Sequence, residues 1–151
     1  MNVAFFLTPK SNVAWIATDS TMRQALERME FHRYAAVPLL DDEGHYRGTL
    51  TEGDLLWFWK HHSEMTFKDT EKVPLADIPR AGREVLPVHI GAEMEQLFTL
   101  AAAQNFVPVV DDRDVFIGIV RRSTIIEYCL ARLDGKTPRP SGQGRESGPG
   151  D

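Results

Sequence analysis

Apolar positions recur along this chain with a helical period, twice over. Met22, Ala25, Leu26 and Met29 fall at i, i+3, i+4 and i+7, and so do Met94, Leu97, Phe98 and Ala101. Each set lays one apolar stripe along a helix that faces a core. After each stripe comes a run of consecutive apolar residues, Val37-Pro38-Leu39-Leu40 or Val107-Pro108-Val109-Val110, closed by an Asp-Asp pair. A second short run follows, Tyr46 to Leu50 or Val115 to Ile119. Runs of this length between turn residues predict strands. In Asp42-Glu43-Gly44, Gly44 can take the positive φ that a hairpin between Leu40 and Tyr46 requires.

The halves are copies of one another. Val37 to Leu50 matches Val107 to Val120 at an offset of 70, while the helical stripes match at 72, so the first copy carries two extra residues ahead of its Val-Pro. Copy one is predicted as an apolar segment over Val3 to Leu7, a strand over Asn12 to Ala17, a helix from Ser20 to about His32, strands over Ala35 to Leu40 and Tyr46 to Leu50, and a helix from Glu52 to about His62. Asp19-Ser20-Thr21 supplies the N-cap of its first helix. Copy two repeats the order as Leu75 to Ile78, Val85 to His89, Glu93 to Ala103, Phe106 to Val110, Val115 to Ile119 and Arg122 to Leu133.

The expected fold class is therefore α/β, with a first repeat over residues 1–62, a polar connector over 63–72 and a second repeat over 73–133. Lys60 to Lys72 reads as solvated chain rather than a core element. From Asp134 to Asp151, Gly, Pro and Ser dominate, which predicts a disordered tail. Duplicated units stack to bury a shared face, so a site is expected where the copies meet.

Composition narrows the function. With 42% apolar and 26% charged residues the chain can build an ordinary globular core. The 22 acidic residues outnumber the 17 Lys and Arg, for a net charge of −5, which argues against nucleic acid or an anionic membrane as the main partner. Cys129 is the only cysteine, so there is no internal disulfide and no cysteine-pair zinc site, and a reducing cytoplasm is the expected location. The run Val3 to Leu7 is short for a signal peptide and lacks a basic start. Gln96 to Val110 is too short to span a bilayer.

No catalytic constellation emerges. His32, His45, His61, His62 and His89 are scattered without metal spacing, and Ser11, Ser20, Ser63 and Ser123 sit in no nucleophile motif. Thr51 and Asp54 stand just before Leu55-Leu56 as Thr-x-x-Asp, close to a capping box. The second copy has Arg121-Arg122-Ser123-Thr124 at this place. Two cations at a helix start face the positive end of the macrodipole, at a cost of roughly 0.3–1 kcal/mol each when exposed, which an arriving phosphate would reverse. Pairing with Asp111, Asp112 or Asp114 is the competing explanation.

Gly48-Thr49-Leu50-Thr51-Glu52-Gly53-Asp54, together with the duplicated Val-Pro-x-x-Asp-Asp, resembles the nucleotide motif Gly-x-x-[Ser/Thr]-x-x-[Asp/Asn] of the CBS domain pair, or Bateman module, over about Val3 to Leu133. The resemblance implies two pseudo-symmetric β-α-β-β-α repeats packed sheet to sheet. It also implies a regulatory binder of adenosine-containing ligands rather than an enzyme, with no cofactor required. Ala76-Asp77-Ile78-Pro79-Arg80, Asn12-Val13-Ala14, Arg33-Tyr34-Ala35-Ala36-Val37-Pro38 and Arg121-Arg122 are further similar to the small stand-alone bacterial CBS proteins that bind cyclic di-AMP, which makes that ligand the first expectation and AMP, ADP or ATP the next.

By that resemblance the base-binding segments of one copy are completed by the helix start of the other. One site would combine Val13, Ala14, Tyr34, Ala35 and Ala36 with Arg121, Arg122 and Thr124. The other would combine Leu86, Asn105, Phe106 and Val107 with Thr51 and Asp54, the carboxylate offering two acceptors to a ribose diol. Where Asp54 stands in the first copy the second has Thr124, a departure that leaves open a purely structural dimerisation module with degenerate sites.

One feature lies outside this frame. Leu55-Leu56-Trp57-Phe58-Trp59 runs more than halfway round a helix and cannot all face one core. The expectation is a homodimer through these residues, or cover from within the chain. With no catalytic segment attached, the output would pass to a separate target protein.

Overall fold

A computed structural model describes residues 1–135 of the chain; the tail expected to be disordered lies, from residue 136 on, outside the described residues. Among the described residues there are five α-helices and seven strands, and the strands form two sheets, each in its own compact unit.

The unit formed by Ala14–Glu84 holds a three-stranded sheet. Strand β2 (Ile16–Ala17) runs parallel to β3 (Ala36–Leu40), which pairs antiparallel with β4 (Tyr46–Thr51). Helix α2 (Met22–His32) makes the parallel crossover, and α3 (Glu52–His61) follows β4 directly. Thr21 caps α2 in a complete capping box with Gln24. Met22, Ala25 and Met29 of the predicted stripe are buried, with Val37, Leu39, Leu50 and Leu55, in this unit's core. Pro38 lies mid-strand, but β2 pairs only with Leu39 and Leu40, so the missing N–H of Pro38 falls beyond its reach.

The second unit contains, among the described residues, Met1–Val13 and residues 85–135. Its sheet orders β1 (Thr8–Pro9), β7 (Phe116–Arg121), β6 (Phe106–Val110) and β5 (Val88–His89), with β1 antiparallel to β7. Helix α4 (Met94–Ala103) joins β5 to β6, and α5 (Arg122–Leu133) follows β7. The short helix α1 (Val3–Phe6) buries Val3 and Phe6 in this core, where Phe6 makes edge-on ring contacts with Phe98 and Tyr128.

The units of packing thus exchange the opening segment of each repeat. Val3 and Phe6 correspond at the offset of 72 to Leu75 and Ile78. The first pair packs with β5 to β7, and the second pair belongs to the core beneath β3 and β4.

Four expectations change, the first being that the strand expected over Val85 to His89 is reduced to Val88–His89. The strand predicted over Asn12 to Ala17 shrinks to Ile16–Ala17, because Lys10–Asn12 close a tight turn. The connector is partly structural, since Thr70 is fully buried in a 3-10 turn over Lys68–Lys72 and Met65 packs on the first core. Of the five residues expected to face a partner, Leu55 is buried and Phe58 and Trp59 pack on their own unit's core; only Leu56, 61% exposed, and Trp57, 48% exposed, look outward.

Candidate functional site

Each unit ends its hairpin in the same way. Ala36 pairs with Thr51 across β3 and β4, and Phe106 pairs with Arg121 across β6 and β7. The helix that follows is tied back by its first residue: the Glu52 N–H donates to the Ala35 carbonyl and the Arg122 N–H to the Asn105 carbonyl, both at 2.9 Å. The residues expected on the base side of one site therefore adjoin, within a unit, the helix start expected for the other.

In the first unit the capping box predicted at Thr51 is complete. The Asp54 N–H donates to Thr51 Oγ1 at 3.2 Å, and the Thr51 N–H donates to Asp54 Oδ2 at 2.9 Å. The remaining oxygen, Oδ1, accepts the N–H of Ala81 at 2.8 Å, and Asp54 is 3% exposed. Both carboxylate oxygens are thus held by backbone donors. Tyr34 stacks on His32 with ring centroids 5.4 Å apart, Ala35 is exposed and Ala36 half-buried. Ala14 is buried, as is Val13 in the other unit. Thr49, also buried, shares a 2.7 Å hydrogen bond with the Tyr46 hydroxyl. Burial pushes the Tyr46 hydroxyl up to about 12, against the opposing pull of the Thr49 bond.

The second unit starts its helix differently. Arg121 occupies the N-cap position of α5, and no side chain caps the helix. Arg122 turns back instead, its Nε donating to the Ala101 carbonyl at 2.7 Å. That bond satisfies a carbonyl in the last turn of α4, uses one guanidinium nitrogen and is made in place of an ion pair with Asp111, Asp112 or Asp114. Thr124 is half-buried in the first turn.

Among the expected base-side residues here, Val107 is fully buried, Phe106 half-buried and Asn105 exposed. Leu86, 46% exposed, is held through its backbone: its N–H donates to Gln104 Oε1 at 2.8 Å and its carbonyl accepts from Gln104 Nε2 at 3.0 Å. Sequence reasoning missed Gln104, a buried polar clamp that stands with exposed Asn105 as an amide pair between apolar Ala103 and Phe106.

Two family-model matches fall on this duplicated frame, residues 6–60 and 75–131, each to the CBS domain. The chain belongs to the CBS domain family. Its two CBS repeats account for the pseudo-symmetry of the hairpin ends, and CBS-domain pairs are generally regulatory rather than catalytic. No curated protein matches the chain in sequence.

Solved structures share the fold. A CBS domain protein from Streptococcus pneumoniae matches with a TM-score of 0.75 and 23% identity, over 85% of this chain and 86% of that one. The CbpB protein of Listeria monocytogenes, solved in complex with c-di-AMP, matches with a TM-score of 0.72 and 20% identity, over 86% and 96%. CBSX2, solved in complex with AMP, gives 0.67 and 22%, over 87% and 98%. Among the described residues no group of His, Cys, Asp and Glu could hold a metal ion, and no helix is long and apolar enough to cross a membrane.

Proposed function

We propose that this CBS pair is a regulatory sensor of an adenine nucleotide, cyclic di-AMP first and AMP, ADP or ATP next, acting on a separate target protein and not as an enzyme. The observation that carries the reading is the start of α5. Where the equivalent helix α3 has a complete capping box, α5 begins on Arg121-Arg122 with no side-chain cap. Backbone N–H groups at a helix start and guanidinium donors together suit a phosphate. The bond from Arg122 to Ala101 occupies Nε and fixes the root of the guanidinium, which leaves its two amino groups as donors toward a ligand.

In this reading Val13, Ala14, Tyr34, Ala35 and Ala36 receive the base, the small alanines letting a flat ring reach the backbone of β3, while Arg121, Arg122 and Thr124 receive the phosphate. Relatives of the same fold solved with c-di-AMP and with AMP support the class of ligand. The second set, Leu86, Asn105, Phe106 and Val107 with Thr51 and Asp54, is the weaker candidate, since backbone donors already hold Asp54. The proposal includes a homodimer through Leu56 and Trp57 and a cytoplasmic location. A nucleotide can drive such a sensor only through differing affinity for two states.

A thermal-shift panel with AMP, ADP, ATP, cyclic di-AMP, S-adenosylmethionine and NADH tests it. A ligand at 100-fold over its Kd adds about 2.7 kcal/mol. No shift with any of them would leave a structural dimerisation module as the better account.

A further inference from the structure

We infer that Pro79–Glu84 is a built-in strap that occupies the Gly48–Asp54 motif in place of a ligand and must be displaced before that motif takes a nucleotide; the inference rests on the sensor reading above. Two contacts define it. The Ala81 N–H donates to Asp54 Oδ1, the oxygen of that carboxylate not used by the capping box. The guanidinium of Arg80 lies flat against Gly48, so close that a Cβ there would stand 2.9 Å from both Arg80 Cζ and Nη1. Gly48 has φ +123, a conformation glycine adopts without strain, and its bare backbone makes room for the planar group.

The covering group and the covered group differ in depth. Asp54 is 3% exposed and Thr49 5%, whereas Pro79, Arg80, Ala81, Gly82, Arg83 and Glu84 are all exposed. No helix or strand includes the strap, and a Cβ at Gly82 would meet nothing within 4 Å. A segment held at two points over a buried acceptor can leave without loss to the core, which is how locally unstable segments gate sites. The strap also imitates a ligand chemically. It brings a neutral N–H donor to the acceptor that a ribose hydroxyl would use, and a flat polar plane to Gly48, the glycine that opens the motif.

A strap of this kind lowers apparent affinity by the fraction of molecules in which it is docked. It also gives a ligand something to move, for the strap is the last stretch before Val85, where the chain enters the other unit. The corresponding place in the second unit is filled by different chemistry, the backbone of Thr8 and Pro9 pairing with Ile119 and Gly118. The two motifs are therefore gated differently, although their hairpins match.

The test is calorimetric titration of the full chain with AMP, using the parent, Arg80→Ala, Ala81→Pro and the double variant. Losing one or both contacts should tighten AMP binding about tenfold, and adding Asp54→Ala to the double variant should abolish the gain. Unchanged or weaker AMP binding in the released variants would overturn the strap. Titration of the same proteins with cyclic di-AMP separates the two readings. If cyclic di-AMP binds but AMP gains nothing, the strap alone fails; if no nucleotide binds any of the proteins, the sensor reading fails and takes the strap with it. A ligand-free readout stands beside these: the Ala81 amide should be protected from hydrogen exchange in the parent and lose that protection in Asp54→Ala, and equal exchange in both would exclude the contact.

Discussion

Gly118 lies against Thr8: a Cβ built on Gly118 would collide with the Thr8 carbonyl oxygen, and φ at Gly118 is +156. No side chain can be accommodated there while β1 stays paired with β7. The pairing matters because β1 extends directly from α1, whose Val3 and Phe6 are core residues of the second unit. Gly118→Ala should cost about 2–4 kcal/mol through strain and overpacking together, and should raise hydrogen exchange at Leu7 and Thr8 ahead of β6. Wild-type stability in denaturant titration would show that the strand shifts without penalty.

Arg121→Ala with Arg122→Ala should weaken cyclic di-AMP by tenfold or more while leaving adenosine nearly unaffected, since only charge-assisted phosphate contacts are lost, each worth about 1.5–3 kcal/mol. Arg122→Ala alone should also lower stability by about 1 kcal/mol, because the Ala101 carbonyl loses its donor. Binding is read by calorimetry and stability by thermal melting, so the two effects of Arg122 separate.

Thr51→Ala should destabilise the first unit by about 0.5–2 kcal/mol, the usual range for a lost N-cap. Arg121→Ala, at the equivalent cap position but with no side-chain capping bond, should not show this loss. Equal melting shifts in both would mean that Arg121 stabilises α5 by another route.

Asp41 and Asp111 tie their hairpins through backbone N–H groups and should shape the acid limb of stability. At Asp111, donors from Arg113 and Val115 hold the carboxyl below its ordinary 3.8. At Asp41, desolvation pulls upward but is outweighed by the bonds from His45, Arg47 and Glu43. A carboxyl lowered in the folded state contributes stability that is fully present above about 3.8 and disappears as pH falls through the folded value. Asp41→Asn with Asp111→Asn should therefore destabilise the protein at neutral pH and converge on the parent in strong acid. A parallel offset at all pH values would contradict this.

Leu56→Glu or Trp57→Glu should convert a dimer to monomer in sedimentation, because both side chains are exposed and a two-fold interface presents each charge twice. Phe58→Glu should instead lower the melting temperature, since Phe58 packs on its own core. Unchanged mass in the first two variants would place any dimer on another surface.

The duplication, the helical stripes and the two hairpins were legible in the sequence because each depends on local periodicity. Met22, Ala25 and Met29 must share a helix face whatever lies opposite, and Val37 to Leu40 with its Asp-Asp turn can hardly be anything but a strand. Thr51 and Asp54 were legible as a capping box for the same reason: the bonds span three residues. What the sequence could not determine is what meets each of these faces. The N–H of Ala81 reaches Asp54 across 27 residues, Arg122 finds the Ala101 carbonyl across 21, and Gln104 clamps Leu86 across 18. The exchange of opening segments belongs with them. Val3 and Leu75 are equivalent in pattern, and only tertiary packing assigned each to its sheet, since an apolar stripe specifies that it will be buried but not against which partner.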